Sequence, residues 1–424
     1  MKMGLVKKIK KYWRILGPGL TTGAADDDPS GIITYSQAGA MFGYQLLWLA
    51  LFTFPLVSVV QEMCARISLV TGKGLASNIR GHFSKYILYM CIVPLLIANT
   101  FNIGADLQAM TEVLHLIFPQ IPSAVTIIAI TALSLGLQIF VTYVKFAKYL
   151  KWLALVLFFY VLSALLSGLN WREVASSTFI PTITFSKEQM LIICAIFGTT
   201  ISPYLFFWET AQEIEEEIVE GKKTVQQRKG ATTKDIKKMR IDVWSGMLFS
   251  NIVMFFIIAA CASVLFTHGI KNIETPAQAA AALKPVAGNA SYVLFVLGIV
   301  GTGLLAVPVL AGASAYALAE GFGWHNIGLY RKLKSAHSFY AVIAVSMLSG
   351  LAMNFFAFDP IKALIWSAVL NGITAPIFLI LILLLSNNNK IMGKSTNNIF
   401  TKIIGWITVV VMSISGIAAI FSVV

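Results

Sequence analysis

Two short polar interruptions in long apolar runs carry the residues of this sequence that could do chemistry. The first contains Asp26-Asp27-Asp28-Pro29, and the second, about 170 residues later, contains Thr199-Thr200-Ile201-Ser202-Pro203. Carboxylates, hydroxyls and backbone carbonyls released at a helix end are oxygen ligands that attract cations. The pattern therefore predicts a cation-binding site where the two interruptions meet.

Each interruption lies in a segment long enough to cross a bilayer, so its acids must be sheltered from lipid. A carboxylate near the bilayer centre costs about 2.5–3.5 kcal/mol, and three in a row would cost on the order of 8–10 kcal/mol facing lipid. Asp26, Asp27 and Asp28 are therefore expected to face a protein interior or a water-filled cavity. Broken helices at matching places in two halves of a chain indicate the binding site of a transporter.

Both interruptions have the form of a helix start. Asp28-Pro29 and Ser202-Pro203 each place a capping side chain before a first-turn proline. The preceding half-helices must end there and release backbone carbonyls with nothing to bond, those around Ala25 and Thr199 being the candidates. The alternative is a proline kink with a capping Asp and Ser, which membrane helices tolerate. Because capping needs only one acid, the kink does not account for the Asp triplet.

Composition places the chain in a membrane. Hydrophobic residues make up 57% of the 424 residues and charged residues 12%, against roughly 45–50% and 25% in soluble domains. Windows of about 20 apolar residues predict eleven spans at 15–42, 46–70, 86–117, 123–143, 147–168, 188–217, 241–266, 290–319, 336–357, 360–386 and 400–423. We therefore predict an all-α integral membrane protein.

The net charge of +13 follows membrane topology rather than nucleic-acid binding. With the N-terminus in the cytoplasm, the outer loops hold five cationic residues, which leaves 27 of the 32 Lys and Arg residues on the inner side. The outer five are Arg172, Lys187, Lys271, Lys284 and Lys362. This positive-inside asymmetry predicts a multi-pass protein of the plasma (inner) membrane with a cytoplasmic N-terminus and an outer C-terminus.

Spans one and six occupy equivalent positions in two halves of five spans each. The first repeat covers 1–168 and the second covers 188–386, and an outer connection at 169–187 joins them. A polar cytoplasmic loop at 218–240 follows span six, and a peripheral eleventh span covers 400–424. Because five is odd, the two repeats are expected to have opposite orientations in the membrane.

Several segments of the chain carry a family resemblance. They read GPGL, DPSG, AGAMFGYQLLW and EMCARISLVTGKGLA, in that order from Gly17 onward. These segments resemble the opening of the Nramp family of divalent-metal transporters, and the similarity in span pattern extends over nearly the whole chain. The resemblance implies a LeuT-like fold of 5+5 inverted repeats in which helices 1 and 6 are broken.

The family's two metal-site motifs are only partly present. Its first motif, Asp-Pro-Gly-Asn, corresponds to Asp28-Pro29-Ser30-Gly31, so Gly31 stands where the family has a ligand Asn. Its second motif, Met-Pro-His, has Ser202 at the metal-binding Met and Tyr204 at the His associated with proton movement. The family's substrate is therefore not carried over unchanged.

Two further positions bear on the resemblance. Asp106 in span three resembles an acid of the family, whereas the Glu expected three residues later is Ala109. A glutamine usual in span ten corresponds to Ala368. With Tyr204 and Ala109 in place of titratable residues, proton coupling is expected to be weak or absent. The membrane potential, worth roughly 2.3 kcal/mol per charge per 100 mV, would then drive a divalent ion inward.

These departures predict a metal site made of oxygen alone. Its members are Asp28, Ser202, the carbonyl around Ala25, Thr199 and the position of Gly31. Loss of a thioether removes a preference for softer ions such as manganese or iron. Magnesium is usually held by one or two carboxylates while it keeps several waters, which suits a hard and enlarged site. The pattern resembles the Nramp-related branch that carries magnesium.

Further polar residues are candidates for the substrate pathway. Asp26 and Asp27 would hold a hydrated ion or lie in the inner vestibule. Glu209 and Glu213, four apart on one helix face, would line the inner route, and the alternative for them is solvation or pairing with loop lysines. The remaining pathway candidates are Thr200, Tyr204, Asp106 and Asn371.

Two transport alternatives stay open at this point. One is proton-coupled manganese or iron uptake of the ordinary Nramp type, and the other is transport of a small organic solute by the same fold. An enzyme is not expected, because the spans contain no nucleophile–base pair and no His-rich metal cluster. We expect no cofactor apart from the transported ion, a divalent metal and the lipid bilayer as partners, no nucleic acid, and no obligate protein partner.

Overall fold

The computed structural model describes residues 16–141, 157–166, 168–273, 275–282, 288, 291–356 and 359–423. Every regular element in these ranges is a helix. The basic arm at 1–14 and half of predicted span five, 147–168, lie outside the described residues. The domain boundaries predicted above stay predictions.

The first half of the described chain forms eight helices. They are α1 (Pro18–Asp26), α2 (Pro29–Phe42), α3 (Trp48–Thr71), α4 (Leu75–His82), α5 (Lys85–His115), α6 (Ser123–Phe140), α7 (Phe158–Leu166) and α8 (Trp171–Phe179). A short 3-10 turn, Gly43–Leu46, joins α2 to α3. Helices α1 and α2 together occupy predicted span one.

The second half of the described chain forms ten helices. They are α9 (Lys187–Thr200), α10 (Pro203–Val219), α11 (Val225–Arg228), α12 (Thr233–Val264), α13 (Pro276–Ala281), α14 (Ser291–Phe322), α15 (His337–Met353), α16 (Pro360–Asn387), α17 (Asn389–Met392) and α18 (Ile399–Val423). Helices α9 and α10 together occupy predicted span six.

Many of these helices are long and apolar enough to cross a bilayer. Within the described residues there are eight such stretches when α9 and α10 are taken as one, and α15 is apolar but shorter. The separate halves of span one, of 9 and 14 residues, are too short to cross alone. The chain is therefore a multi-pass membrane protein, while the total of eleven spans stays a prediction.

Span one is interrupted at the Asp triplet. Helix α1 ends at Asp26, and Asp27 leaves the helical region with φ −87° and ψ 52°. Asp28 is extended, with φ −69° and ψ 172°, before α2 begins at Pro29. Proline at the first helical position lacks an N–H that would have no partner there anyway, and its ring presets the helical φ.

Span six is interrupted in the same way. Helix α9 ends at Thr200, and Ile201 has φ −112° and ψ 55°. Ser202 is extended, with φ −80° and ψ 134°, and Pro203 begins α10. The two interruptions therefore share one backbone layout, in which a proline stands three residues after the helix end.

Helix α1 packs on α12 through glycine. A Cβ on Gly23 would lie 2.2 Å from the carbonyl oxygen of Gly246, and one on Gly246 would lie 2.0 Å from that of Gly19. Only hydrogen fits at these positions, so the two backbones are in direct contact. Helix α12 also packs against α2 and α3, which places it beside both halves of span one.

The connection between α10 and α12 is more ordered than the cytoplasmic loop predicted at 218–240. Helix α12 begins at Thr233, eight residues before predicted span seven, because Thr232 and Asp235 form a reciprocal capping box. The buried guanidinium of Arg228 donates to the carbonyls of Lys222 and Lys223, each at 3.0 Å. The connection is therefore folded against the inner end of the bundle rather than solvated throughout.

Candidate functional site

The carboxylate of Asp28 is fixed at the start of α2. Its Oδ1 accepts hydrogen bonds from the backbone N–H of Gly31 at 2.7 Å and from the hydroxyl of Ser30 at 2.6 Å. Asp28 thus caps the helix, which is what an Asp-Pro pair favours. Its side chain is fully buried, so the cap stands inside the protein and not at its surface.

The second oxygen of Asp28 faces two other helices. Oδ2 accepts from the side-chain amide of Asn102 on α5 at 3.1 Å and from the hydroxyl of Tyr204 on α10 at 3.4 Å. All the donors to Asp28 are neutral, and no Lys or Arg of the described residues forms an ion pair with it. Its charge is oriented but not balanced by a side chain, which leaves it available to a cation.

Tyr204 joins the two interruptions. Besides Asp28, its hydroxyl lies 3.1 Å from the carbonyl oxygen of Ala25, which it reaches from the first turn of α10. One phenol at the start of α10 therefore contacts both the acid and a carbonyl of the first interruption. Tyr204 lies at the centre of the site and not merely along a pathway.

Gly31 permits a close approach between the interruptions. A Cβ added there would lie 3.0 Å from the hydroxyl oxygen of Thr199 and 3.2 Å from the carbonyl oxygen of Asp26. The hydroxyl of Thr199 is buried without a hydrogen-bond partner. Gly31 offers no ligand atom of its own side chain, but its small size brings Thr199 next to the first interruption.

Ser202 does not behave as the predicted cap. Its hydroxyl makes no capping bond to α10 and instead donates back to the carbonyls of Gly198 and Thr199, the latter at 2.9 Å. A serine hydroxyl can bond the preceding turn as readily as the following one, which the sequence does not distinguish. Its oxygen keeps lone pairs that a cation could use.

The predicted free carbonyls are not without partners. The carbonyl of Ala25 accepts from Tyr204, and that of Thr199 accepts from Ser202. The expectation that helix ends leave these groups with nothing to bond was therefore wrong, because hydroxyls of the second interruption fold onto them. Each carbonyl oxygen retains a second lone pair, so both remain possible ligands.

Asn102 and Ser367 belong to the site although the sequence did not identify them. The hydroxyl of Ser367 on α16 donates to the side-chain carbonyl of Asn102 at 2.7 Å, which turns the amide N–H₂ toward Asp28. Asn102 lies four residues before Asp106 on one face of α5, and that spacing is the only signal that pointed to it. This chain of hydrogen bonds ties α5 and α16 to the first interruption.

Asp106 is fully buried one turn from Asn102. Among the described residues the backbone N–H of Ser30 is the donor nearest to its carboxylate, and it makes no well-formed hydrogen bond. No Lys or Arg in the described part of the chain pairs with it. A second unbalanced acid therefore lies on the face of α5 that carries the Asp28 contact.

Asp26 and Asp27 face α12 instead. The hydroxyl of Ser250 donates to Oδ2 of Asp26 and lies 3.4 Å from Oδ1 of Asp27. Both acids are fully buried. The triplet is therefore divided, with its third member directed to α5 and α10 and its first two directed to α12.

Thr200 contacts α2 and α12 rather than Asp28. Its hydroxyl lies 3.2 Å from that of Tyr35, donates to the carbonyl of Ile196 at 2.8 Å, and lies 3.8 Å from the sulfur of Met254. Thr200 thus lies beside the site on the α12 side, in contact with a soft sulfur atom.

Two glutamates continue from the site toward the inner end of α10. Glu209 is fully buried and accepts from the hydroxyl of Thr22 on α1. Its other oxygen has no partner. Glu213, one turn further, lines a cavity of about 330 Å³. The structure therefore places Glu209 at a contact between α1 and α10 and Glu213 at the mouth of an inner cavity.

That inner cavity is acidic. Six carboxylates and two lysines line it, namely Glu213, Glu216, Glu217, Glu220, Asp235, Asp242, Lys222 and Lys238. Lys222 lies outside the spans and binds Glu217 at 2.8 Å, and this hydrogen bond raises the pKa of Lys222. An excess of carboxylates attracts cations to such a cleft.

Asp242 holds the inner end of α1. Its carboxylate accepts from the backbone N–H groups of Gly17 at 2.7 Å, Gly19 at 2.8 Å and Leu20 at 3.2 Å. Helix starts have N–H groups with no partner in the helix, and a carboxylate there is favoured by the helix dipole. The cap comes from α12, so the sequence near α1 gave no sign of it.

Asn371 is not connected to Asp28. It is buried on α16, its side-chain oxygen has no partner, and its backbone carbonyl accepts from Thr374 at 3.1 Å. No hydrogen bond within the described residues links it to either interruption. The predicted role in the pathway stays a prediction.

The chemistry of the site is that of an enclosed oxygen cage. The carboxylate of Asp28, the hydroxyls of Tyr204, Thr199 and Ser202, and nearby main-chain carbonyls are all hard donors. Such a set can hold a small cation and offers no nucleophile activated by a base. The first three of these side chains are buried beyond the reach of bulk solvent, so the site is closed to both sides.

Comparison with known proteins gives one family and one fold. Residues 19–422 match the family model described as Nramp, Natural resistance-associated macrophage protein-like. The divalent metal cation transporter MntH of Klebsiella pneumoniae is 25% identical over 414 residues, which are 95% of this chain and 92% of that protein.

Solved structures show the same fold. A manganese transporter of Eremococcus coleocola matches with a TM-score of 0.73 and 19% identity over 97% of this chain and 87% of its own. A nucleobase-cation-symport-1 family transporter in a closed conformation matches with a TM-score of 0.57 and 15% identity, over 96% of this chain and 91% of its own. At these identities the likeness is one of fold alone.

Proposed function

The chain belongs to the Nramp family, and from that premise we propose that it carries divalent metal cations across the plasma membrane. The observation that supports this most directly is the buried carboxylate of Asp28, which is held by four neutral donors where two interrupted helices meet. A buried charge is paired or binds a metal. Because no side-chain cation pairs with Asp28 among the described residues, the transported ion is the partner.

Magnesium is the preferred substrate in this proposal. Around Asp28 the hydrogen-bonding atoms are oxygen and nitrogen, and Ser202 and Gly31 supply no thioether or amide where the family resemblance implies metal-binding Met and Asn. Hard oxygen ligands suit magnesium, which keeps part of its water shell. The ion is bound as substrate, and no resident cofactor is needed.

The two halves of span one, and the two halves of span six, would rotate about the interruptions as the ion crosses the membrane. We propose eleven spans, with two inverted five-helix repeats, the N-terminus in the cytoplasm and the C-terminus outside. Coupling to protons would be weak or absent, since Tyr204, whose hydroxyl contacts Asp28, stands where the family resemblance implies a histidine. The membrane potential would supply roughly 2.3 kcal/mol per charge per 100 mV for entry. The transported ion and the lipid bilayer are its partners, without nucleic acid or an obligate protein partner.

Uptake into proteoliposomes tests this function. Asp28→Asn removes the charge but keeps a capping oxygen for α2, so we expect folding to be retained and magnesium uptake to fall to the level of empty liposomes. The matched control is Asp359→Asn, at the cap of α16, and it should transport like the parent. Equal uptake by Asp28→Asn and the parent would show that the ion does not bind at this acid.

Proton-coupled manganese transport is the second candidate. Two observations favour it: the fully buried carboxylate of Asp106, which could accept a proton, and the sulfur of Met254 beside Thr200, which could serve a softer ion. A dye for lumenal pH in the same proteoliposomes separates the candidates. Acidification that accompanies manganese uptake, together with poor magnesium uptake, would support this second function over the first.

A further inference from the structure

A second group of buried oxygens lies on the α12 side of the first interruption. The hydroxyl of Ser250 contacts one carboxylate oxygen of Asp26 and one of Asp27. A serine hydroxyl has one proton to donate, so it can satisfy only one of these two oxygens at a time. The two carboxylates therefore share a single donor.

The other oxygen of each acid has no hydrogen-bond partner among the described residues. Oδ1 of Asp26 and Oδ2 of Asp27 are buried without a hydrogen bond, and both side chains are fully enclosed. Each of these oxygens shares its carboxylate with an oxygen that contacts the Ser250 hydroxyl. Buried charges are normally paired or bound to a metal, and no Lys or Arg of the described residues pairs with either acid.

This group is separate from the Asp28 site. Asp28 is held by residues of α5 and α10, whereas Ser250 belongs to α12. Charge balance can accommodate more than one ion. Among the described residues, the buried carboxylates of Asp26, Asp27, Asp28 and Asp106 have no cationic side-chain partner, and together they carry four negative charges when ionised. One divalent ion would balance half of that charge.

We propose that Asp26, Asp27 and Ser250 form a second divalent-cation site beside Asp28, so that one chain holds two ions at once. The inference rests on the proposed transport function and adds a binding stoichiometry to it. Two cations bound at neighbouring sites repel each other. This repulsion helps each ion to leave, even though each site binds strongly enough for an ion to enter. The second site thus has a use in transport as well as in charge balance.

Manganese binding to the purified full-length protein tests the proposal, with free Mn²⁺ measured by electron paramagnetic resonance and magnesium as competitor. We expect two Mn²⁺ per chain in the parent, both displaced by Mg²⁺, and one in Asp27→Asn. Ser250→Ala should keep two but bind one of them roughly tenfold more weakly. One ion per chain in the parent would overturn the second site and leave transport intact. No ion in the parent would overturn the proposed function as well.

Controls locate the effect and its chemistry. Asp359→Asn and Ser346→Ala alter an acid and a buried serine away from the interruptions, and both should bind two ions like the parent. Thermal unfolding in detergent checks that each variant is folded. If Asp27→Asn is not folded, Ser250→Ala alone tests the second site. Two unweakened ions in Ser250→Ala would place the second ion elsewhere. Loss of the second ion in excess sodium chloride would identify a monovalent site and overturn the divalent assignment.

Discussion

Gly31 illustrates how a residue without a side chain shapes the site. It lies in the first turn of α2, its N–H binds the carboxylate of Asp28, and its Cα faces the hydroxyl of Thr199. An asparagine there would fill the space between the two interruptions. Glycine at this position therefore removes a side-chain ligand and leaves more space in the site. The added space favours an ion that keeps part of its water shell.

Gly31→Ala tests that exchange. The new Cβ would lie 3.0 Å from Thr199 Oγ1 and 3.2 Å from the carbonyl oxygen of Asp26, so we expect it to crowd the ion and raise the KM for magnesium uptake roughly tenfold. Gly136→Ala on α6 is the matched control, because a Cβ there meets nothing within 4 Å. An unchanged KM in Gly31→Ala would remove this position from the site.

Ser202→Met tests the role of hard ligands. The substitution restores the thioether that the family resemblance implies, and we expect the ratio of manganese to magnesium uptake to rise, because sulfur favours the softer ion. Ser202→Ala separates this effect from loss of the hydroxyl, which holds the carbonyls of Gly198 and Thr199. If Ser202→Met and Ser202→Ala had the same ion preference, the argument from ligand hardness would fail.

Helix α1 is fixed by specific contacts to α10 and α12. Its inner end is capped by Asp242 of α12, its middle touches Gly246 of α12, and Thr22 binds Glu209 of α10. These contacts join α1 to both neighbours between the inner cavity and the Asp triplet.

Gly246→Ala tests the contact between α1 and α12. An added Cβ would lie 2.0 Å from the carbonyl oxygen of Gly19, and over-packing of this kind costs about 1–3 kcal/mol. We expect a lower temperature of unfolding in detergent, while Gly136→Ala should leave it unchanged. A stability equal to that of the parent would mean that α1 is not in backbone contact with α12 in the purified protein.

Local and distant features of the site differ in how well they could be predicted. The cap of Asp28 on α2 involves residues three apart, and its Asp-Pro signal is local, so the sequence sufficed. Asn102 and Ser250 meet the triplet from 74 and 224 residues away, and hydrophobic periodicity does not report which polar residues meet across a bundle. Ser202 failed as a cap because its hydroxyl had a competing acceptor one turn earlier.

At the scale of the whole molecule, the site is closed from both sides. The Asp triplet and Asp106 are fully buried, and so is Glu209, although Glu213 one turn away borders the inner cavity. An ion can therefore reach or leave Asp28 only if helices move. Transport by alternating exposure is consistent with this enclosure, whereas an open channel is not.

Labelling of single cysteines tests the proposed orientation. Arg172 and Lys229 are exposed, and the four native cysteines are buried, so each introduced thiol reports alone. With the charge asymmetry described above, Arg172→Cys should react with an impermeant maleimide in intact cells and Lys229→Cys only after permeabilisation. The opposite pattern would place the N-terminus outside.

Among the described residues the four buried acids have no side-chain counter-ion, and this has a consequence for discrimination between metals. A concentration of negative charge draws in any small cation, including sodium and potassium. Attraction alone therefore cannot sort them. Selectivity must come from the free energy of removing water from the ion. The shape of the enclosure would set how many waters an ion must lose to enter, and hence this free energy.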